Sequence, residues 1–195
     1  MYCYGYSIMS NSFSPMNLAK QIEANAGEHG LPPIHKWNPE FCGDIDMSIA
    51  RDGQWYYMGS PIGRAQLVRM FSTILLKEDD QYFLVTPVEK VGIQVEDAPF
   101  IITQLIEEEG DTLVFMTNVG DKVVLDKAHP LRIEVNNAGE PQPYLLVRDN
   151  LEGRLHRNLF YQLVEQAIEH EIDGVNHVGI YSAGQFWSLG EMPEV

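Results

Sequence analysis

Alternating and helical spacings of apolar residues follow one another along this chain, in an order that occurs twice. Over 44–50, Ile45, Met47 and Ile49 alternate with Asp44, Asp46 and Ser48, the period of a strand with one wet face. Arg51-Asp52-Gly53 is a turn, with Gly53 able to take positive φ. The returning strand is predicted over 54–58, followed by a tight loop, Ser60-Pro61-Ile62-Gly63. From Arg64, the residues Leu67, Val68, Phe71, Ile74 and Leu75 recur at helical spacing, which predicts a helix running to Asp79-Asp80. Strands are predicted over 82–85 and 88–95.

About 90 residues downstream the order returns. Asn137-Ala138-Gly139 is a turn, and Tyr144-Leu145-Leu146-Val147 an aromatic-bearing strand. Glu152-Gly153-Arg154 stands where Ile62-Gly63-Arg64 stood, ahead of a helix predicted from Arg157 to about Glu171. Leu159, Phe160, Leu163, Val164, Ala167 and Ile168 form its apolar face, and Asp173-Gly174 closes it. A last hairpin, 177–181 with 185–189, turns at Ala183-Gly184. From Phe100, short strands are predicted over 100–107, 112–117, 122–125, 131–135 and 144–148, the last being the aromatic-bearing strand of the second unit. Ahead of the first, Ser14-Pro15 starts a helix with the stripe Leu18, Ile22 and Ala26. Gly27 and Gly30 stop it, and Leu31-Pro32-Pro33 leads into an aromatic loop over 34–39.

These elements describe an α+β protein, a two-domain duplicated core of antiparallel meanders with packed helices. The expected divisions are a disordered tail over 1–13, an N-terminal α+β domain over 14–98 and a C-terminal α+β domain over 99–195, with the boundary near Asp97-Ala98-Pro99. Residues 1–10 carry no Lys or Arg and are broken by Gly5, so they do not read as a signal peptide.

The formal net charge of −15 turns the reading away from nucleic acid and anionic membrane surfaces as partners. Two cysteines, Cys3 and Cys42, make no disulfide framework, and the expectation is a reduced, cytoplasmic protein. The histidines (His29, His35, His129, His156, His170, His177) show no spacing for zinc on one helix, and His170 falls at the expected end of the second helix. Ser60 lacks a G-x-S-x-G setting, and nothing adjacent to Cys42 is basic enough to activate it. No catalytic residue, metal ligand or cofactor is therefore assigned.

The candidate chemistry is binding. Gly59-Ser60-Pro61-Ile62-Gly63-Arg64 precedes a helix whose amino-terminal N–H groups and positive dipole end suit a phosphate or carboxylate, with Arg64 as a bidentate partner. Gly63 is expected at positive φ, so that Gly63→Ala would cost on the order of 1 kcal/mol. Arg51 and Lys90 are further candidate cations, and Trp37 and Trp55 candidate flat walls for a base. An alternative is a metal-dependent enzyme, with Asp44 and Asp46 on one strand face and Glu40 beside them. A third reading is a protein-interaction module.

Five blocks carry a family resemblance: His35-Lys36-Trp37-Asn38-Pro39, Cys42-Gly43-Asp44-Ile45-Asp46, the Gly59–Arg64 run, Val85-Thr86-Pro87-Val88-Glu89-Lys90-Val91-Gly92-Ile93, and Glu96-Asp97-Ala98-Pro99-Phe100. In this order they resemble the bacterial DUF1285 family of unknown function. The resemblance implies a duplicated α+β core whose C-terminal half is like pleckstrin-homology (PH) folds. It also implies a small, nucleotide-like anionic ligand between the halves, with a role in signalling. It supplies no catalytic residues.

Overall fold

The computed structural model describes residues 31–107 and 110–192, together with residues 16, 18, 20 and 22. The expected tail, the Ser14-Pro15 helix start, Ala26, Gly27, His29 and Gly30 lie outside the described residues. Residues 16, 18, 20 and 22 are helical, and Leu18 and Ile22 of the expected stripe are buried. The chain divides into two compact units, Met1–Asp97 and Ala98–Val195. Both are mostly β, and each carries one nine-residue helix beyond residue 31: α1 (Ala65–Thr73) and α2 (Arg157–Glu165).

The N-terminal unit holds β1 (Phe41–Ile49), β2 (Trp55–Tyr57), β3 (Ser60–Pro61), β4 (Leu75–Glu78), β5 (Gln81–Val85) and β6 (Lys90–Val95). They form one six-stranded sheet in the order β3-β2-β1-β6-β5-β4. The central pair, β1 with β6, is parallel, while the neighbours on either side are antiparallel. Two three-stranded meanders therefore lie side by side. A parallel pair needs a crossover, and α1 sits in the stretch that supplies it. Met47, Ile49, Trp55, Phe71, Ile74, Leu75 and Leu84 are among the core residues. Burying such side chains contributes roughly 1.5–3 kcal/mol each.

The C-terminal unit repeats the arrangement with β7 (Phe100–Glu107), β8 (Leu113–Thr117), β9 (Lys122–Val124), β10 (Leu131–Val135), β11 (Pro141–Arg148) and β12 (Leu151–Leu155). Their order is β10-β11-β12-β7-β8-β9, again with one central parallel pair, β12 with β7. After α2 comes a separate three-stranded antiparallel sheet of β13 (Ile168–Ile172), β14 (Val175–Ser182) and β15 (Gln185–Glu191). Buried Ser182 links this sheet to the β8–β9 region. Its hydroxyl donates to the Leu125 carbonyl at 2.7 Å and accepts from the Leu113 N–H at 2.9 Å.

The recurrence in the sequence is thus a recurrence of elements. Three strands, a helix and three strands occur as β1–β3, α1, β4–β6 and again as β10–β12, α2, β13–β15. The partners differ. In the first unit the closing meander joins the opening one; in the second, β7 takes the place beside β12 and β13–β15 pair among themselves.

Four expectations need correction. Both helices end early, at Thr73 and Glu165, and the residues expected to prolong them are strands β4 and β13. Asp79 and Asp173, read as helix stops, are hairpin turn residues with φ of 50° and 52°. The hydroxyls of Ser72 and Thr73 donate to the Arg69 and Met70 carbonyls at 2.7 Å, and so compete with the helical ladder where α1 stops. Ser60-Pro61 is a short edge strand and the tight turn lies at Met58-Gly59, with φ of 49° and 71°. Glu152-Gly153-Arg154 is the middle of β12 and not a loop; Gly153 is buried, and a Cβ there would meet Ile102 Cδ1 at 2.6 Å.

Candidate functional site

The Ser60–Arg64 stretch is held on the edge of the first sheet. The Ile62 N–H donates to the Trp55 carbonyl at 2.8 Å, and the Gln54 side-chain amide donates to the Ile62 carbonyl at 3.4 Å. Arg64 is the N-cap residue of α1, its carbonyl accepting from Leu67 and Val68 at 2.9 and 3.1 Å. The first turn of α1 holds no acidic residue, and Ser60, Gly63 and Arg64 are exposed. Among the described residues nothing pairs with the Arg64 guanidinium.

Gly63 is not at positive φ, and a Cβ placed on it meets nothing within 4 Å. The expected strain lies one turn earlier, at Met58 and Gly59. Gly63→Ala is now expected to change unfolding free energy by less than about 0.5 kcal/mol. A urea titration checks this, and a loss above about 1 kcal/mol would restore the strained-loop reading.

The other candidate residues are engaged elsewhere. Trp55 is fully buried with its ring 6.2 Å from that of Phe71, so it belongs to the core and cannot flank an exposed ligand. Arg51 pairs through Nε with Asp97 at 3.3 Å, and its N–H donates to Glu96 at 2.9 Å. Lys90 pairs with Glu78 and lies 4.2 Å from the centroid of the Phe83 ring. Pairings carry Ser60 to Tyr57, Tyr57 to Met47, and Lys90 to Phe41. Lys90 is therefore three strands across and six residues along the sheet from Ser60, roughly 25 Å away. Trp37 is half-buried just after a short 3-10 turn, Ile34–Lys36, to whose first carbonyl its N–H donates at 3.0 Å.

A groove of about 340 Å³ lies on the sheet of the same unit, lined among others by Asp44, Asp80, Gln81, Phe83, Gly92 and Gln94. The register sets Asp44, Gly92 and Phe83 in one row across β1, β6 and β5. Gly92 is the key to its floor. A Cβ there would fall 1.9 Å from Asp44 Oδ1, so the bare backbone lets the Asp44 carboxylate lie across β6. The lining contains carboxylates, carboxamides and rings but no Lys or Arg. Such a surface accepts hydrogen bonds from amines and hydroxyls.

Asp44 and Asp46 are both exposed on β1 as expected. Among the described residues no group of three or more His, Cys, Asp or Glu side chains comes together to hold a metal ion. The sequence reading missed the groove because Gly92 in an apolar strand carries no local signal. Only its register opposite Asp44 gives it meaning.

Two shifted groups lie outside this unit. Arg132 is raised by hydrogen bonds to Glu152 and, after the opposing effect of burial, to Glu134. At Asp126, burial pulls the carboxyl upward, but hydrogen bonds from the His129 and Ala128 N–H groups and the His129 ring outweigh it and set it below its ordinary 3.8. A depressed carboxyl contributes stability above its unfolded pKa and loses it as pH falls through the folded value. The stability difference between the native chain and Asp126→Asn should thus be constant above about pH 5 and shrink toward zero as pH falls well below 3.8. Urea midpoints across this range test the sign, and a difference that grows on acidification would refute it.

The model described as "Domain of unknown function (DUF1285), N-terminal domain" matches residues 32–98, and "Protein of unknown function (DUF1285), C-terminal domain" matches residues 99–189. A DUF1285 family protein from Silicibacter pomeroyi DSS-3 shares 44% identity, with 90% of this chain and 95% of that chain covered at a TM-score of 0.78. Another, from Shewanella baltica OS155, shares 31% identity over 63% of this chain and 92% of that one, at a TM-score of 0.52. No curated protein matches the chain.

Proposed function

The chain belongs to the DUF1285 family, and from that premise and the geometry of the first unit we propose that it binds a small polar ligand in the groove above Gly92. The observation that carries this is the Asp44 carboxylate laid over the bare Gly92 backbone in a cavity of about 340 Å³. The volume is at the lower end of small-molecule sites. The ligand is neutral or cationic, bearing amines or hydroxyls toward Asp44, Asp80, Gln81 and Gln94, with the Phe83 ring beside it.

A second reading keeps the anionic, nucleotide-like ligand expected from the sequence and places its charged group at Arg64. Support comes from the exposed guanidinium at the N-cap of α1 and the absence of acidic residues in that first turn. The PH likeness of the C-terminal half belongs to this same proposal; it is supported by six strands followed by α2, and the further sheet β13–β15 departs from it. The cytoplasmic location rests on the two cysteines without a disulfide framework, and the signalling role on the family resemblance. No helix among the described residues is long and apolar enough to cross a membrane.

Calorimetric titration separates the two sites. Amino sugars, polyamines and polyols form one arm, and nucleotides and inorganic phosphate the other. Gly92→Ala should keep the fold, because its Cβ displaces only the end of the exposed Asp44 side chain. It should weaken a groove ligand at least about tenfold, the equivalent of 1.4 kcal/mol. Arg64→Ala should do the same to an anion and leave the groove untouched. A ligand indifferent to both substitutions would remove both sites.

A further inference from the structure

We propose that the outer edge of β13 receives an extended, basic segment of another protein, which adds a fourth strand to the C-terminal three-stranded sheet. β13 is one of the two edges of this sheet, paired on one side only, with β14. All of its residues are exposed. An edge strand offers a row of unpaired backbone donors and acceptors, which is the template for strand addition.

The two faces of the strand define what fits. Ile168, His170 and Ile172 share one face with Val175, Tyr181 and Phe186, through the pairs Ile168 with Gly179, His170 with His177, Ile172 with Val175, and Tyr181 with Phe186. Its apolar residues are open to solvent, Ile168 50%, Val175 43% and Tyr181 44% exposed, and the register adds His177, Ser188 and Glu191 on the β14–β15 side of the same face. The rings on it pack together, His170 lying 4.6 Å from Phe186 and Tyr181 5.4 Å from Phe186. The other face of β13 presents Glu169 and Glu171, and no described residue pairs with either. After Arg157 the sequence carries no Lys or Arg, while Glu165, Glu169, Glu171, Asp173 and Glu191 all follow. The edge is thus acidic on one face and apolar on the other.

Charge decides the occupant. A second copy pairing antiparallel about His170 would set Glu169 opposite Glu171 of its partner, and like charges directly opposed across strands are destabilising. The same glutamates favour a segment that alternates Lys or Arg with apolar residues. Its basic residues meet Glu169 and Glu171, and its apolar ones extend the stripe of Ile168, His170 and Ile172. The net charge of −15 raises the encounter rate with such a segment.

The test uses the full chain and a short blocked peptide alternating valine and lysine. Calorimetry should detect binding, and hydrogen exchange should slow at the β13 amides and nowhere on the first unit. The double variant Glu169→Lys with Glu171→Lys, both changes on an exposed strand, should weaken binding at least about tenfold. A peptide of the same charge, N-methylated at alternate residues, should not bind, because it cannot complete the ladder. Binding of the N-methylated peptide or of a valine–glutamate peptide as tight as that of the probe, or binding of the probe without protection of β13, would overturn the proposal. So would a chain that sediments alone as a dimer with its β13 amides already protected, because a second copy then occupies the edge.

Discussion

Trp55→Ala is expected to lower the stability of the N-terminal unit by about 3–5 kcal/mol, the largest loss from any single truncation considered. Trp55 is fully buried on β2 against Phe71 of α1, so removing the indole opens a cavity between the sheet and the crossover helix. Urea unfolding followed by circular dichroism measures the loss. The companion variant Trp55→Phe sharpens the test. The indole Nε1 is buried and has no acceptor among the described residues. A buried unpaired donor costs about 1–3 kcal/mol, so phenylalanine removes a penalty while it removes volume. Trp55→Phe should therefore cost much less than Trp55→Ala. Equal losses would mean that the indole N–H is satisfied and that Trp55 is more than packing.

Gly179→Ala is expected to cost about 3 kcal/mol, confined at first to the sheet β13–β15. A Cβ on Gly179 would lie 2.3 Å from the Trp187 carbonyl oxygen and 2.5 Å from Phe186 Cζ. The first of these is backbone within β15 and cannot swing aside without breaking the β14–β15 pairing, which already shifts register between Val178 and Gly179. Gly190 lies on β15 in the same sheet, and a Cβ there meets nothing within 4 Å. Gly190→Ala is the matched control and should be neutral within about 0.5 kcal/mol. The fluorescence of Trp187, buried in this sheet, reports the transition. A Gly179→Ala chain as stable as the Gly190→Ala chain would show that the bulge can open to admit a methyl group.

Such a loss also separates the two proposals. A disrupted sheet should abolish peptide addition at β13 and leave any ligand of the Gly92 groove untouched, since the groove is built from the other unit.

Much of the strand pattern was legible in the sequence. Alternation at Ile45, Met47 and Ile49 placed β1 with the right faces, and Phe100–Glu107 and Leu131–Val135 stand where the pattern put them. The turns at Gly53 and Ala183-Gly184 follow from the need for positive φ, and these residues adopt it. The helix ends were not legible. Ile74 and Leu75, like Ala167 and Ile168, continue the helical spacing, because a short apolar pair fits a helix face and a strand equally well. Pairing decided between them: Leu75 is opposite Leu84 and Ile168 opposite Gly179, in ladders that a helix could not join.

The candidate site divides along the same line. The place of Arg64 at the start of a helix is local in sequence and could be read directly, whereas the turn before it lies at Met58-Gly59 and not at the expected Ser60–Gly63. Lys90, Arg51 and Trp55 looked equivalent to it as residue types. Their roles were set by neighbours distant along the chain: Glu78 for Lys90, Asp97 for Arg51 and Phe71 for Trp55.

What the sequence alone determined is an order of strands, helix and strands occurring twice, because periodicity and turn chemistry act over a few residues; the strands that flank each helix directly, β3 and β4 or β12 and β13, were not part of it. What the tertiary structure decided is which meander pairs with which, the place of β7 beside β12, the cradle at Gly92 and the open edge at β13. Each depends on a register between residues far apart along the chain, and local sequence places no constraint on such a register until the strands meet.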